Sequence, residues 1–243
     1  MSAGRRHEQI LLFRNGGKRR GAGRKPIGAR AGTPHGARPF VDGSQALHVT
    51  LRVAPEVGCM RREVMYRAVR AATVVAAQRG RIRIVQLSIQ GNHLHMLIEV
   101  EAKEALSRGL QGFQISVARN VNSVLRSADR RRKGRVFADR YHLVMIESPR
   151  QARNVLAYVL NNWRRHGEDR RGAARAWLLD RFSSACSFAG WKELGGRAPE
   201  WTLPEGYEAL RVSAPRSWLL STGWKLAGPI GMREVPGPQG RNS

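Results

Sequence analysis

The run Gln90-Gly91-Asn92-His93-Leu94-His95-Met96-Leu97-Ile98-Glu99 constrains the fold more than any other part of the chain. Side chains alternate across a strand, so Leu94, Met96 and Ile98 share one face and belong in a core, while His93 and His95 share the other. A fold that contains this run must include a sheet with one apolar face and a second face carrying paired imidazoles. Two neutral imidazoles side by side make half of a metal site. They are also what a solvated strand face shows, so the pair needs support from elsewhere in the sequence.

The surrounding segments supply the rest of the sheet. Leu47-His48-Val49-Thr50-Leu51-Arg52-Val53 alternates strictly and reads as a first strand, whose polar side, His48, Thr50 and Arg52, suits a DNA-facing sheet. Residues 60–78 contain no Gly or Pro and place Met65, Val69, Ala72 and Ala76 at helical spacing, with Gly80 as the stop. A second strand over 81–89 then turns at Gln90-Gly91-Asn92 into the histidine strand, forming a hairpin. The next helix spans about Glu104 to Ala128, with an apolar stripe of Leu106, Leu110, Phe113, Val117, Val121 and Val124. A fourth strand over 141–146 completes the order strand, helix, strand, strand, helix, strand. That order predicts an α+β fold: a ferredoxin-like, split β-α-β antiparallel sheet with helices on one face. A further helix has a sharp start, with Ser148 as N-cap, Pro149 at the first helical position and Gln151 closing a capping box. It carries Leu156, Val159, Leu160 and Trp163 on its apolar stripe, and Tyr158 and Asn162, four residues apart, on a neighbouring face.

Composition identifies the partner. The chain has 43 Lys plus Arg against 18 Asp plus Glu, a net charge of +25. An excess rich in guanidinium forks points to nucleic acid. No apolar run approaches the roughly 20 residues of a membrane span, and no signal peptide is evident, so a cytoplasmic, nucleoid-associated protein is expected. The two cysteines, Cys59 and Cys186, read as small buried hydrophobes. Residues 1–41 form a basic arm with too little apolar surface to order. In it, Arg20, Arg24 and Lys25 flank slim glycines, a pattern open to two readings, a minor-groove hook or a solvated polycationic tail. Arg130-Arg131-Arg132-Lys133-Gly134-Arg135 is a second basic loop suited to clamping phosphates. The organisation expected is an arm over 1–41, a main domain over 42–166 and, over 167–243, an extension wrapping the main domain. Its tryptophans belong either to packing or to base stacking.

Cutting a DNA strand without water as nucleophile needs a group that attacks phosphorus and stays attached, a cation on the non-bridging oxygens, and a grip on the strand. A phenol serves as the first, and His93 and His95 would hold the second. A side-chain amide oxygen from Asn162 would complete the ligands, and helical spacing brings it to the same side as Tyr158. Nitrogen and oxygen donors without thiolate favour Mg2+ or Mn2+.

These residues carry a resemblance. Asn92-His93-Leu94-His95-Met96-Leu97-Ile98-Glu99 resembles the HUH motif of the single-tyrosine transposases. Gly134-Arg135-Val136-Phe137-Ala138-Asp139-Arg140-Tyr141 and Tyr158-Val159-Leu160-Asn161-Asn162 are similar to that family's later blocks, in the same order. The subgroup most similar is the REP-associated tyrosine transposases, over roughly residues 44–166. The resemblance implies His93, His95 and Asn162 as metal ligands and Tyr158 as nucleophile. It also implies single-stranded or hairpin DNA as substrate, a 5'-phosphotyrosine intermediate, and a monomer or homodimer. Two departures stand out: Gly91 where many members have proline, and Leu160-Asn161-Asn162-Trp163 where many have a His-Leu-Asn-Pro run. Neither removes a chemical group.

Tyr141 is the rival nucleophile, but it has no amide partner four residues on. The absence of a Gly-x-x-x-x-Gly-Lys-Ser/Thr loop argues against a nucleotide cofactor. Two other functions compete: a replication initiator or relaxase using the same chemistry, and a catalytically silent DNA-binding protein.

Overall fold

Alternating apolar residues in four short segments pair into one antiparallel sheet, and the positions of the helices follow from which face each segment leaves uncovered. The computed structural model describes residues 45–127, 134–198 and 200–237. The arm residues Arg20, Arg24 and Lys25 and the loop residues Arg130, Arg131, Arg132 and Lys133 lie outside the described residues. The elements are β1 (Gln45–Arg52), α1 (Glu63–Arg79), β2 (Arg83–Ile89), β3 (His93–Val100), α2 (Lys103–Ser127), β4 (His142–Met145), α3 (Pro149–Arg165) and a short α4 (Trp218–Ser221). Strand order is β2-β3-β1-β4, with every pairing antiparallel. This is the predicted split β-α-β sheet, with β1 and β3 in the middle.

One face is apolar throughout. Leu47, Val49 and Leu51 of β1 and Leu94, Met96 and Ile98 of β3 bury against Met65, Val69 and Ala72 of α1 and Leu110, Phe113 and Val117 of α2. Gly80 ends α1 in the left-handed region, at φ 63°. Gly109 lets α2 close on the connection that follows α1, because a Cβ there would collide with the Ile82 side chain.

The other face was expected to be open to solvent, and it is not. Helix α3 lies across it, packing Val155, Leu156, Val159 and Leu160 with Ala46, Val85 and Leu97. The two crossover helices do share a face, while α3 takes the opposite one. Its start follows the sequence closely: Ser148 Oγ accepts from the Gln151 amide, and Pro149 stands in the first turn. The capping box closes one residue further out than predicted, since Gln151 Oε1 accepts from the Glu147 amide, not that of Ser148.

Residues 167–198 and 200–237 run around this framework. Ile89 N–H donates to the Phe182 carbonyl, Ser184 N–H to Leu87 and Ser213 N–H to Ile84, so the chain lies along the outer edge of β2. Side-chain attachments, three of them through buried or part-buried carboxylates, help to fix it. Arg61 makes a two-point ion pair to buried Asp180 at 2.8 and 2.9 Å. Glu99 accepts from the Arg216 and Ser217 amides. Arg153 pairs with Glu234. Trp163, Trp191 and Trp224 are buried, whereas Trp218 is exposed. The cysteine expectation fails: Cys59 is exposed and Cys186 half-buried, because neither falls on a core-facing position. Among the described residues, no helix is long and apolar enough to cross a membrane.

Candidate active site

The register of the sheet builds the site. β1 and β3 pair so that Thr50 lies opposite His95 and Arg52 opposite His93. Alternation then directs His48, Thr50, His93 and His95 to the α3 face. The turn that launches His93 is held on both sides, as Val53 N–H donates to the Asn92 carbonyl and Met60 N–H to that of Gly91, each at 2.8 Å.

The two histidines of the motif meet through their outer nitrogens, His93 Nε2 and His95 Nε2 standing 2.8 Å apart. His93 Nδ1 lies 2.7 Å from Asn92 Oδ1. Tyr158 comes down from α3 with its ring edge-on to His95, centroids 4.9 Å apart, and 6.1 Å from His48. One helical turn on, Asn162 is 0% exposed, and neither its Oδ1 nor its Nδ2 has a hydrogen-bond partner. A buried amide left in that state costs about 1–3 kcal/mol, so it calls for a role.

Electrostatics keep the imidazoles ready to bind. Burial drives His48 and His93 down to about 4, helped at His48 by His142 and His93, and at His93 by His166 and Arg52. Burial, with His48 and His93 beside it, holds His95 well below the ordinary imidazole range. All three are neutral at physiological pH, with lone pairs available. Burial raises the Tyr158 phenol above its usual value, opposed by the Arg165 cation. The Asn162 amide favours the phenolate from nearby without reaching hydrogen-bond geometry.

Among the described residues, no three His, Cys, Asp or Glu side chains converge as metal ligands. A cation beside His93 and His95 would therefore draw on the Asn162 amide oxygen, and the unpartnered state of that amide fits the requirement.

The other candidates fall into place around this centre. Arg52 is exposed at the end of β1. Arg135 is exposed in the segment that returns to the same end, where Ala54 N–H donates to the Val136 carbonyl. His48 needs correction. It was expected on an open, DNA-facing surface, yet it is 2% exposed beneath α3, with Nε2 3.1 Å from His95 Nδ1. Alternation identified its face but could not tell that a helix covers that face. Tyr141 is 8% exposed within the apolar cluster on the opposite side of the sheet, away from the imidazoles. His166 was not singled out from the sequence. It follows α3, with its ring 6.1 Å from that of His93. Its position eight residues after Tyr158 and four after Asn162 was the available signal.

Residues 43–162 match the family model described as "Transposase IS200 like". No curated protein matches the chain. Among solved structures, the chain is similar to a REP-associated tyrosine transposase bound to a REP hairpin. That likeness has a TM-score of 0.50 at 12% identity, covering 74% of this chain and 100% of the other. A Deinococcus radiodurans protein assigned as a transposase aligns at 11% identity with a TM-score of 0.37, over 59% of this chain and 100% of its own. The first likeness establishes the fold.

Proposed function

We propose, from the premise that residues 43–162 belong to the IS200-like transposase family, that this chain cuts and rejoins single-stranded DNA at hairpin or palindromic sites with Tyr158 as nucleophile. One observation carries the reading: the Tyr158 ring stands edge-on to His95, on the same helix face as a buried amide without a partner. The hairpin bound to the similar structure supports the choice of substrate.

In the proposed reaction, the Tyr158 oxygen attacks phosphorus, the bond from phosphorus to the 3'-oxygen breaks, and that oxygen departs and takes up a proton. The strand stays joined through a 5'-phosphotyrosine, which a later 3'-hydroxyl reverses by the same in-line path. His93 and His95 offer neutral lone pairs and Asn162 its amide oxygen, a donor set that suits Mg2+ or Mn2+. Such an ion, when bound, polarises the scissile phosphate. Arg165 stabilises negative charge on the phenol oxygen. Arg52 and Arg135, with the arm residues Arg20, Arg24 and Lys25 and the loop residues Arg130, Arg131, Arg132 and Lys133, serve as phosphate-binding groups. The reading takes Tyr158, His93, His95 and Asn162 from one copy of the chain and is compatible with a monomer or a homodimer. We read residues 42–166 as the transposase domain and 167–243 as an extension packed on it.

The decisive experiment incubates labelled single-stranded hairpin DNA with the full chain and Mn2+, then denatures the mixture. A covalent protein–DNA band is expected from the wild type and none from Tyr158→Phe, with DNA binding retained in both. A band surviving in Tyr158→Phe refutes the nucleophile. Binding without any band in the wild type leaves a silent DNA-binding protein. Removing residues 1–41 is expected to flatten the salt dependence of binding, by roughly 0.7 in slope for each phosphate of a single strand that the arm had neutralised. An unchanged slope would show that the arm does not touch DNA.

A further inference from the structure

We infer that His48, together with Thr50, is the positioning partner of His95, holding that ring by Nδ1 and allowing its hydrogen to change nitrogen when a cation is bound. The inference rests on the reading of His93 and His95 as metal ligands given above.

The two nitrogens of His95 have different neighbours. Nε2 faces His93 Nε2 at 2.8 Å. Nδ1 faces His48 Nε2 at 3.1 Å and Thr50 Oγ1 at 3.2 Å. A neutral imidazole carries one N–H, so hydrogens can be followed around the cluster. His93 Nδ1 donates to Asn92 Oδ1, which leaves His93 Nε2 as a lone pair. The contact between the two Nε2 atoms then requires the hydrogen on His95 Nε2. His95 Nδ1 must accept, from the His48 N–H or the Thr50 hydroxyl.

Metal ligation imposes the opposite state on one ring. Both Nε2 atoms must present lone pairs, so the hydrogen of His95 has to reside on Nδ1 and be donated outward. His48 Nε2 and Thr50 Oγ1 can receive it without any ring turning, because an imidazole and a hydroxyl each donate or accept. Every imidazole keeps one hydrogen throughout, and His48 moves its own to Nδ1. Turning the Asn92 amide over puts the shared hydrogen on His93 Nε2 instead, and the partners at His95 Nδ1 still match. A leucine at 48 would fill the space and do neither job. His48 is 2% exposed, so water cannot readily replace it.

The test uses the full chain in three measurements. In protein with 15N-labelled histidine at neutral pH, long-range 1H–15N spectra are expected to place the His95 hydrogen on Nδ1 once Mg2+ is saturating. A hydrogen remaining on Nε2 would show that His95 does not ligate through that nitrogen and would remove the ligand reading on which the inference rests. In Mn2+ titrations followed by electron paramagnetic resonance, His48→Leu is expected to weaken binding about 10- to 100-fold, the usual cost of losing such a partner. His48→Gln, which can donate or accept at similar reach, is expected to restore most of that affinity, and Thr50→Val to lose less than His48→Leu. Thermal melts accompany each variant, and if His48→Leu does not fold, the spectra and the Gln variant decide. Equal affinity in His48→Leu and wild type, or equal loss in the Leu and Gln variants, overturns this inference alone. A wild type that binds neither Mg2+ nor Mn2+ removes the metal reading itself.

Discussion

The two faces of the sheet are built from the same strands yet meet opposite demands. Under α1 and α2, β1 and β3 bury Leu47, Val49, Leu51, Leu94, Met96 and Ile98, which need nothing beyond one another. Under α3 the same strands bury His48 and His95, and the helix contributes Asn162 with both amide atoms unpartnered. The first arrangement maximises apolar burial. The second accepts polar groups at a cost in stability, with Tyr158 edge-on to His95 among them. Under the proposed function, fold and chemistry are divided across a single layer, so perturbing one face should leave the other's readout unmoved.

The largest effect on stability is expected on the apolar side. Phe113→Ala should cost about 3–5 kcal/mol in urea unfolding while the folded fraction keeps its Mn2+ affinity. A change in affinity would break the separation of faces. Next comes acidification, which should act on the α3 face. His48 and His93 stay neutral in the fold down to about 4, whereas in the unfolded chain they take up protons near the usual 6.5. The unfolded state then binds more protons, so this contribution is fully present above about 6.5 and is lost as pH falls towards about 4. Urea midpoints across that interval check it, and a flat profile would mean these rings are not buried as neutral groups. The smallest effect is the sharpest. Asn162→Leu should raise stability by about 1 kcal/mol by removing an unsatisfied amide, and it should abolish Mn2+ binding and covalent capture together. Loss of stability in that variant would show the amide to be satisfied after all.

How far the sequence was legible follows from the range of each signal. Local signals were read well: the Ser148-Pro149 start of α3, Gly80 as a stop, and alternation along β1 and β3. The pairing of Tyr158 with Asn162 needs only helical geometry, and the motif histidines only strand geometry. What alternation cannot express is which helix covers which face, so His48 was placed on a surface and Cys59 in a core. Tyr141 and Tyr158 are both phenols after a basic loop; helical spacing to Asn162 already favours Tyr158, and the sheet adds that the two lie on opposite sides. The tail's bonds to β2 join residues more than ninety positions apart through backbone carbonyls and amides, which leave no mark in side-chain patterning.

That tail has a consequence for any attempt to shorten the protein. Where Phe182, Ser184 and Ser213 bond to β2, they occupy amides and carbonyls that would otherwise form a bare strand rim, a template for strands of other molecules. A fragment stopping at His166 would lose that cover along with the clamps at Asp180, Ser217 and Glu234. It is expected to form self-associating, thioflavin-positive material, while the intact chain stays dispersed. The tail is thus a cover for a strand edge as well as an extension of the domain.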